Sequence, residues 1–199
     1  SNTNLNLSGG NLAASKGFLI TNGPTNGEVG ASVSSAGDVN GDGLADLIVG
    51  APGTDTVAGT AYLVYGNSTG TNVSLGGGTI AASNGFKITG VSQSGLGESV
   101  AAAGDMNGDG YGDLIVGSYR NPIPGSLAGA IGEVYVVYGT STGTGVNVSS
   151  GTIAASNGFK LSYGGTDTTT WLGYSVSGAG DINGDGLSDL IVGQPTLNN

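Results

Sequence analysis

Three copies of one acidic loop are the residues of this chain best suited to chemistry. The phrase Ala-Gly-Asp-x-Asn-Gly-Asp-Gly-x-x-Asp occurs at 36–46, 103–113 and 179–189. Each copy places side-chain oxygens at loop positions 1, 3, 5 and 9, with glycine at position 6, where a sharp turn is needed. Because Ca²⁺ takes about six to eight oxygen ligands, a carboxylate-rich loop of this spacing is a candidate calcium site.

The candidate ligands are five in each loop, counting the backbone carbonyl of position 7. They are Asp38, Asn40, Asp42, Leu44 and Asp46; Asp105, Asn107, Asp109, Tyr111 and Asp113; and Asp181, Asn183, Asp185, Leu187 and Asp189. Nine of the 14 acidic residues are these loop aspartates, so most of the net charge of −10 is ligand charge. Asp-Asn-Gly clusters also form ordinary turns, but three intact copies favour three Ca²⁺ sites.

The residues after each loop exclude a calcium loop of the type that continues into a helix. An EF-hand places a bidentate glutamate at position 12 and continues as a helix, whereas position 12 here is Val49, Val116 and Val192. Each loop instead ends in Asp-Leu-Ile-Val-Gly, which is typical of a short buried strand, and each follows a run of small residues that also predicts a strand. The loop is therefore expected to join two neighbouring strands.

Two further strand signals complete a repeating unit. Alternating aromatic and β-branched residues recur at 59–66 and 132–139, and a Leu/Ile-Ala-Ala-Ser-x-Gly-Phe phrase recurs at 12–18, 80–86 and 153–159. We expect a fourth strand from each phrase, the N-terminal one over residues 9–20. Four-stranded units in series predict an all-β fold, a β-propeller with about three repeats. The units are approximately 1–22 (partial), 23–90, 91–165 and 166–199 (partial), within one region 1–199.

The pattern resembles the FG-GAP repeat of integrin α-subunit propellers and their bacterial relatives. The resemblance rests on the acidic loop and on a Gly-Ala-Pro ending, which stands at 50–52 and becomes Gly-Gln-Pro at 193–195. The second repeat departs from it with Gly-Ser-Tyr at 117–119. The opening Phe-Gly is represented by Val-Gly or Leu-Gly at 29–30, 96–97 and 172–173. The resemblance implies that the loops rim one face of a propeller and that ligands bind on the opposite face.

The amino-acid composition limits where the chain is expected to be located and what it is expected to bind. The sequence has 42 glycines, 9% charged residues and no helical periodicity, which suits turn-rich β structure. It contains no apolar run of ~18 residues and no leader peptide, so we expect no membrane insertion. Oxygen-ligand calcium sites of the extracellular kind fill at roughly 10⁻⁴–10⁻³ M, which favours a secreted, extracellular protein. A net charge of −10 disfavours nucleic acid as a partner.

Little enzyme chemistry remains outside the loops. The chain has no His and no Cys, which excludes Ser-His and Cys-His nucleophiles. The other acids are expected to be solvated surface residues; they are Glu28, Asp55, Glu98, Glu133 and Asp167. We therefore predict that the chain is not an enzyme.

Partner contacts are expected where the repeats differ, at 52–58, 118–131 and 163–171. Tyr119, Arg120 and Trp171 are candidates there: Arg120 either anchors a partner acid or is simply solvated, and Trp171 with Tyr163 either packs between blades or stacks on a sugar. The predicted function is an extracellular calcium-binding module for adhesion or protein interaction. The alternatives are a lectin-like propeller and an architectural module of a surface layer or large adhesin.

The chain is not expected to close a ring alone, because its last unit stops before a third strand and propellers use about four to eight blades. Either further blades continue the array or two chains associate.

Overall fold

The computed structural model describes residues 12–53, 58–120, 131–164 and 170–195. Asp55, Asp167 and much of the three variable loops lie outside these ranges. The described part contains 13 strands and one 3₁₀ turn, Ala14–Lys16. The strands are β1 (Ile20–Thr21), β2 (Ser32–Gly37), β3 (Asp46–Ala51), β4 (Ala58–Val64), β5 (Val73–Ser74), β6 (Gly85–Ser92), β7 (Ser99–Gly104), β8 (Asp113–Ser118), β9 (Glu133–Val137), β10 (Val146–Asn147), β11 (Gly158–Ser162), β12 (Ser175–Gly180) and β13 (Asp189–Gly193).

The strands form propeller-like blades of antiparallel meanders. The first blade has the order β2-β3-β4-β6, and the second has the order β7-β8-β9-β11. A third blade is represented by the β12-β13 hairpin. The described residues are all-β apart from the single 3₁₀ turn and do not close a ring. The all-β propeller prediction is confirmed at this level.

Two short parallel strands link successive units. In the connector between the third and fourth strands of the first blade, β5 pairs in parallel with β1, and in the second blade β10 pairs in parallel with β6 of the first blade. The amide of Val148 adds a hydrogen bond of 2.9 Å to the carbonyl of Thr89 beside this pair. Each complete blade therefore hydrogen-bonds to the outermost strand of the unit before it.

The core lies between blades, and the second blade is covered on both sides. Its innermost strand, β7, packs against β2 and β12. Val100 on β7 is 8% exposed, whereas Val33, at the same position of β2, is 68% exposed. On the other side Ile115 of β8 is fully buried, whereas Ile191 of β13 is 59% exposed. Val33 and Ile191 are thus exposed because no neighbouring blade covers them, as one does at Val100 and Ile115.

Glycine is required where two blades approach through their backbones. A Cβ on Gly117 would meet the carbonyl oxygen of Gly173 and the hydroxyl of Ser99, and that hydroxyl donates a 2.7 Å hydrogen bond to the same carbonyl. The junction of the first and second blades repeats this contact, with Ser32 donating to the Gly97 carbonyl at 2.7 Å.

The structure corrects one prediction about the N-terminal unit. A strand was expected over residues 9–20, but residues 14–16 form the 3₁₀ turn and the strand covers only Ile20–Thr21. The equivalent phrases at 80–84 and 153–157 likewise form turns, since strands begin only at Gly85 and Gly158. Both glycines have φ near +140°, a conformation that L side chains rarely adopt.

Across the described ranges, no helix is long and apolar enough to cross a membrane.

Candidate metal centres

The three acidic loops connect the first and second strands of each blade, as their flanking sequences predicted. They join β2 to β3, β7 to β8 and β12 to β13. The register of each hairpin shifts by one residue just before the loop, between Ser35 and Gly37 in the first blade. Gly37 has φ +75°, and Gly104 and Gly180 repeat this conformation at +75° and +67°. The same β-bulge therefore leads into every loop.

The aspartate at position 1 organises each loop through backbone amides. Asp38 accepts hydrogen bonds from Gly41 and Asp42 at Oδ1, at 2.7 and 3.0 Å, and from Gly43 at Oδ2, at 2.8 Å. Gly41 and Gly43 both have positive φ, which lets the backbone curl around the carboxylate. Asp105 and Asp181 accept the equivalent sets. The amides, that of Gly186 foremost, lower the pKa of Asp181 below its usual value.

Positions 3 and 5 form a second, more exposed pair of oxygen donors. Asn40 Oδ1 accepts from the Asp42 amide at 3.0 Å, and Asp42 Oδ1 accepts from the Leu44 amide at 2.8 Å. Asn40 Nδ2 donates to Asp42 Oδ2 at 3.0 Å. The second and third loops repeat all three contacts.

In the first two loops the aspartate at position 9 is buried and connects the loop to the residue that follows the third strand. Asp46 accepts from Val39 at Oδ2 and from Gly66 at Oδ1, both at 2.8 Å, and Gly66 follows the third strand. Asp113 does the same with Met106 and Gly139, at 2.8 Å each. In the third loop Asp189 accepts from Ile182 at 2.9 Å, and Asn183 Nδ2 donates to its Oδ1 at 3.4 Å.

The carboxylates of one loop repel each other electrostatically. The pKa of Asp113 is raised to about 6, chiefly by burial and also by the charges of Asp109 and Asp105, against the lowering effect of its two amide donors. Burial likewise raises the pKa of Asp46, with contributions from Asp42 and Asp38. Within the described ranges no lysine or arginine pairs with a loop aspartate. The negative charge of each loop is therefore not balanced by a basic side chain there.

The loop residues fit a calcium ion in donor chemistry. An ionised carboxylate has about four lone-pair sites, so the two or three amide hydrogen bonds accepted by Asp38 or Asp46 leave sites for a metal. All side-chain donors are oxygens, which hard cations prefer. In the described residues, however, no three acidic side chains converge as they would at a closed metal site. In the first two loops the aspartate at position 9 contributes to this, since both of its oxygens accept from backbone amides.

The opposite end of the blades carries a different cluster, at the junction of the second and third blades. We call Tyr119, Trp171 and Tyr174 the aromatic cluster. Ring centroids lie 5.6 Å apart for Tyr119 and Trp171, 5.1 Å for Tyr119 and Tyr174, and 5.9 Å for Trp171 and Tyr174. Two of the candidates for partner contact, Tyr119 and Trp171, are thus in contact. Tyr174 was missed because its residue type alone gave no signal.

The prediction that the acids outside the loops are solvated surface residues is wrong for two of them, Glu98 and Glu133. Arg120 forms an ion pair with Glu98, whose side chain is 16% exposed, and its guanidinium lies 5.8 Å from the centroid of the Tyr119 ring. Glu133 is buried and accepts hydrogen bonds from Lys160 at 2.6 Å and from the Tyr135 hydroxyl at 2.7 Å. Each acid has a partner distant in sequence, which the local pattern did not reveal.

The described chain contains two four-stranded antiparallel blades and the hairpin of a third, and each has its own copy of the acidic loop between its first two strands. This architecture defines the chain as a protein of the β-propeller class. The FG-GAP repeat matches residues 29–64, 96–137 and 172–199, which is more than half of the chain. The chain belongs to the FG-GAP repeat family.

Known relatives align with most of this chain but are far longer proteins. Integrin alpha-7 of Mus musculus is 35% identical over 160 residues, which cover 78% of this chain and 11% of the relative. Integrin alpha-3 of Cricetulus griseus is 34% identical over 173 residues, 83% of this chain and 14% of the relative. Phosphatidylinositol-glycan-specific phospholipase D of Bos taurus is 34% identical over 175 residues, 84% of this chain and 18% of the relative. The chain therefore spans less than a fifth of each of these relatives.

Proposed function

We propose that this chain is an extracellular interaction module whose three acidic loops each bind one structural Ca²⁺. The observation that carries the proposal is the threefold repetition of one oxygen-lined loop whose aspartates have no basic partner in the described ranges. In the first two loops the neighbouring aspartates also raise the pKa of the carboxyl at position 9. The ligands would be the residues at positions 1, 3, 5 and 9, with the carbonyl of position 7. A bound Ca²⁺ supplies two positive charges and offsets this repulsion.

The loop would stabilise a whole blade rather than a single turn. Asp38 organises the loop itself, while Asp46 connects it to Gly66 beyond the third strand. A cation held between these carboxylates would fix the first, second and third strands of the blade relative to one another. Because calcium binds the folded loop and not the unfolded chain, each filled site would stabilise the fold by mass action.

The proposed role is binding, not catalysis. The chain has no His or Cys, and two of the five acids outside the loops, Glu98 and Glu133, are committed to ion pairs. An extracellular location agrees with the weak oxygen-ligand type of site, which fills at roughly 10⁻⁴–10⁻³ M. Partner contacts would fall at the end of the blades opposite the loops, where the repeats differ most. Nucleic acid and membrane insertion form no part of the proposal.

The exposed outer faces favour association with further blades. Val33 and Ile191 occupy positions that a neighbouring blade buries elsewhere in the molecule, at Val100 and Ile115. A further blade of the same repeat would cover them with the same packing. We propose such blades, from a continuing chain or a second copy, as the neighbours of these faces.

Calcium titration tests the proposed function. After chelation and buffer exchange, isothermal titration with CaCl₂ should show three sites per chain. Asp42→Ala, Asp109→Ala and Asp185→Ala should each remove one site and leave the others filled. Titration with MgCl₂ is the matched control, because Mg²⁺ demands a tighter octahedron and keeps its waters. A protein that binds no calcium at millimolar concentration would refute the proposal.

A further inference from the structure

The aromatic cluster lies at the end of the blades opposite the acidic loops. Tyr119 follows the end of β8, and Trp171 and Tyr174 precede β12. β8 starts at the acidic loop and is six residues long, so its two ends are roughly 17 Å apart. Tyr174 is 50% exposed, and Trp171 and Tyr119 are partly exposed. Three aromatic rings at a blade junction thus form a surface that reaches solvent.

Blade packing does not explain the cluster. The equivalent junction between the first and second blades is built by the same backbone hydrogen bonds: Glu98 donates to Gly95 there as Tyr174 donates to Trp171, both at 3.1 Å. That junction therefore has Gly95 and Glu98 in place of Trp171 and Tyr174. Pro52 stands in place of Tyr119, since Ala51 and Ser118 end β3 and β8. Blades of this repeat meet without any aromatic residue at these positions.

The geometry of the three rings favours a ligand that stacks on the outer surface of the aromatic cluster. Trp171 and Tyr174 have nearly parallel planes, with an angle of 16°, while Tyr119 is tilted by 46° and 56° to them. Centroid separations of 5.1 to 5.9 Å are those of rings in direct contact, which leaves no slot between them for a ligand group. A ligand must therefore lie against the exposed side of the cluster.

The charge at the site favours a neutral ligand. Arg120 is a basic residue beside the aromatic cluster; its guanidinium lies near the Tyr119 ring and is paired with Glu98. This pairing offsets its charge, which disfavours recognition of a carboxylate or phosphate. Two buried hydroxyls lie near the cluster. Thr170 precedes Trp171 in sequence, and Ser94 precedes Gly95, whose Cβ position lies 3.2 Å from Arg120 Nε. Neither hydroxyl has a hydrogen-bond partner among the described residues.

We infer that the aromatic cluster is a binding site for a neutral carbohydrate, with one sugar ring stacked on the exposed face of Tyr174. A pyranose ring presents an apolar face of C–H groups that packs against an aromatic ring, and its hydroxyls pair with neutral polar groups. The inference rests on the proposed function as an extracellular interaction module and gives that module a ligand class.

Trp171 is the single tryptophan of the chain, so its fluorescence reports on this site alone. The experiment titrates the calcium-loaded protein with soluble neutral oligosaccharides built from glucose, mannose, galactose or xylose, and with oligogalacturonate as an acidic comparator. We expect a saturable emission change with one neutral class. Tyr174→Ala should weaken that binding by about tenfold or more, whereas Tyr174→Phe, which keeps the ring, should retain it. Leu47→Ala, at an exposed apolar residue on β3 of the first blade, is the matched control and should bind normally.

Each result has a defined meaning. No saturable change with any neutral oligosaccharide, in a protein that holds its calcium, overturns the carbohydrate site and leaves the proposed calcium function standing. Sugar binding in a protein that takes up no calcium overturns the calcium function and leaves the site standing. Tighter binding of oligogalacturonate than of every neutral sugar overturns the neutral-ligand argument. Binding that Tyr174→Ala leaves unchanged assigns the sugar to another surface and also overturns the inference.

Discussion

The backbone N–H of Gly66 donates a 2.8 Å hydrogen bond to Asp46 Oδ1, across 20 residues of sequence. Gly139 and Asp113 repeat the contact at 2.8 Å in the second blade. Gly66 and Gly139 each follow the third strand of their blade. In the first two blades position 9 of the acidic loop, a proposed calcium ligand, is therefore also a buried structural acceptor.

This double role predicts different effects for two aspartates of one loop. Without calcium, Asp46→Ala should lower the free energy of unfolding by about 2 kcal/mol or more, because two amides, those of Val39 and Gly66, lose their acceptor in a buried place. Asp42→Ala, on the exposed part of the loop, should change it by less than about 0.5 kcal/mol. Urea denaturation in excess chelator measures both. Equal destabilisation by the two variants would contradict the assigned role of Asp46.

Removal of calcium should lower the melting temperature of the whole array. At tenfold Kd each site contributes about 1.4 kcal/mol, so three sites contribute about 4 kcal/mol. For a chain of this size that corresponds to a fall of roughly 10 °C. Differential scanning calorimetry with and without chelator measures it, with magnesium restored instead of calcium as the control. An unchanged transition would show that the ions do not support the fold.

The two equivalent valines provide a test of blade stacking. Val100→Ser should lower the free energy of unfolding by about 1–3 kcal/mol, because it places a hydroxyl between the first and second blades. Val33→Ser should stay within about 0.5 kcal/mol, because Val33 is exposed in this chain. Chemical denaturation of the two variants makes the comparison. A large loss for Val33→Ser would mean that another blade or a second copy covers this face in solution.

Gly117 should tolerate no side chain. Gly117→Ala places a methyl group against the carbonyl of Gly173, which should cost about 1–3 kcal/mol or more as the second and third blades move apart. Gly164→Ala is the control, because a Cβ there has no neighbour within 4 Å and should leave stability unchanged or slightly raised. Thermal unfolding distinguishes the two. A neutral Gly117→Ala would show that the blade junction is more adaptable than its backbone contact indicates.

The lysine of the buried ion pair in the second blade has an equivalent in the first blade that donates to a backbone carbonyl instead. Lys160 Nζ donates to Glu133 and to the Gly151 carbonyl, at 2.6 and 2.7 Å, whereas Lys87 Nζ donates to the Gly78 carbonyl at 3.0 Å. Lys160→Met should cost about 2 kcal/mol, because it leaves a buried carboxylate without its cation. Lys87→Met should cost less than about 1 kcal/mol. Similar losses in equilibrium unfolding would mean that the charge of Glu133 is compensated elsewhere.

The parts of the fold that the sequence predicted are those with local signals. The spacing of Asp38, Asn40 and Asp42 before a β-branched run predicted both the loop and its hairpin, because every interaction that shapes the loop spans a few residues. Repetition then extended the prediction from one blade to three.

The parts that were missed depend on partners distant in sequence. The burial of Glu133 requires Lys160 on the neighbouring strand, and the second role of Asp46 requires Gly66 beyond the third strand. The parallel pairing of Val146 with Ile88 was missed because β10 has only two residues, too few to show a pattern. The aromatic cluster was also missed because its residues are distant in sequence: Tyr119 and Tyr174 meet only when two blades pack.

The parallel pairing of β10 with β6 also bears on how the chain folds during synthesis. The outer edge of the first blade has unpaired backbone groups until the connector of the second blade reaches it. β10 begins more than 50 residues after the end of β6, so a nascent first blade leaves the ribosome with one edge open to other strands. The second blade closes this edge when it is nearly complete. Assembly should therefore proceed from the N-terminus, with each blade protecting its predecessor from aggregation.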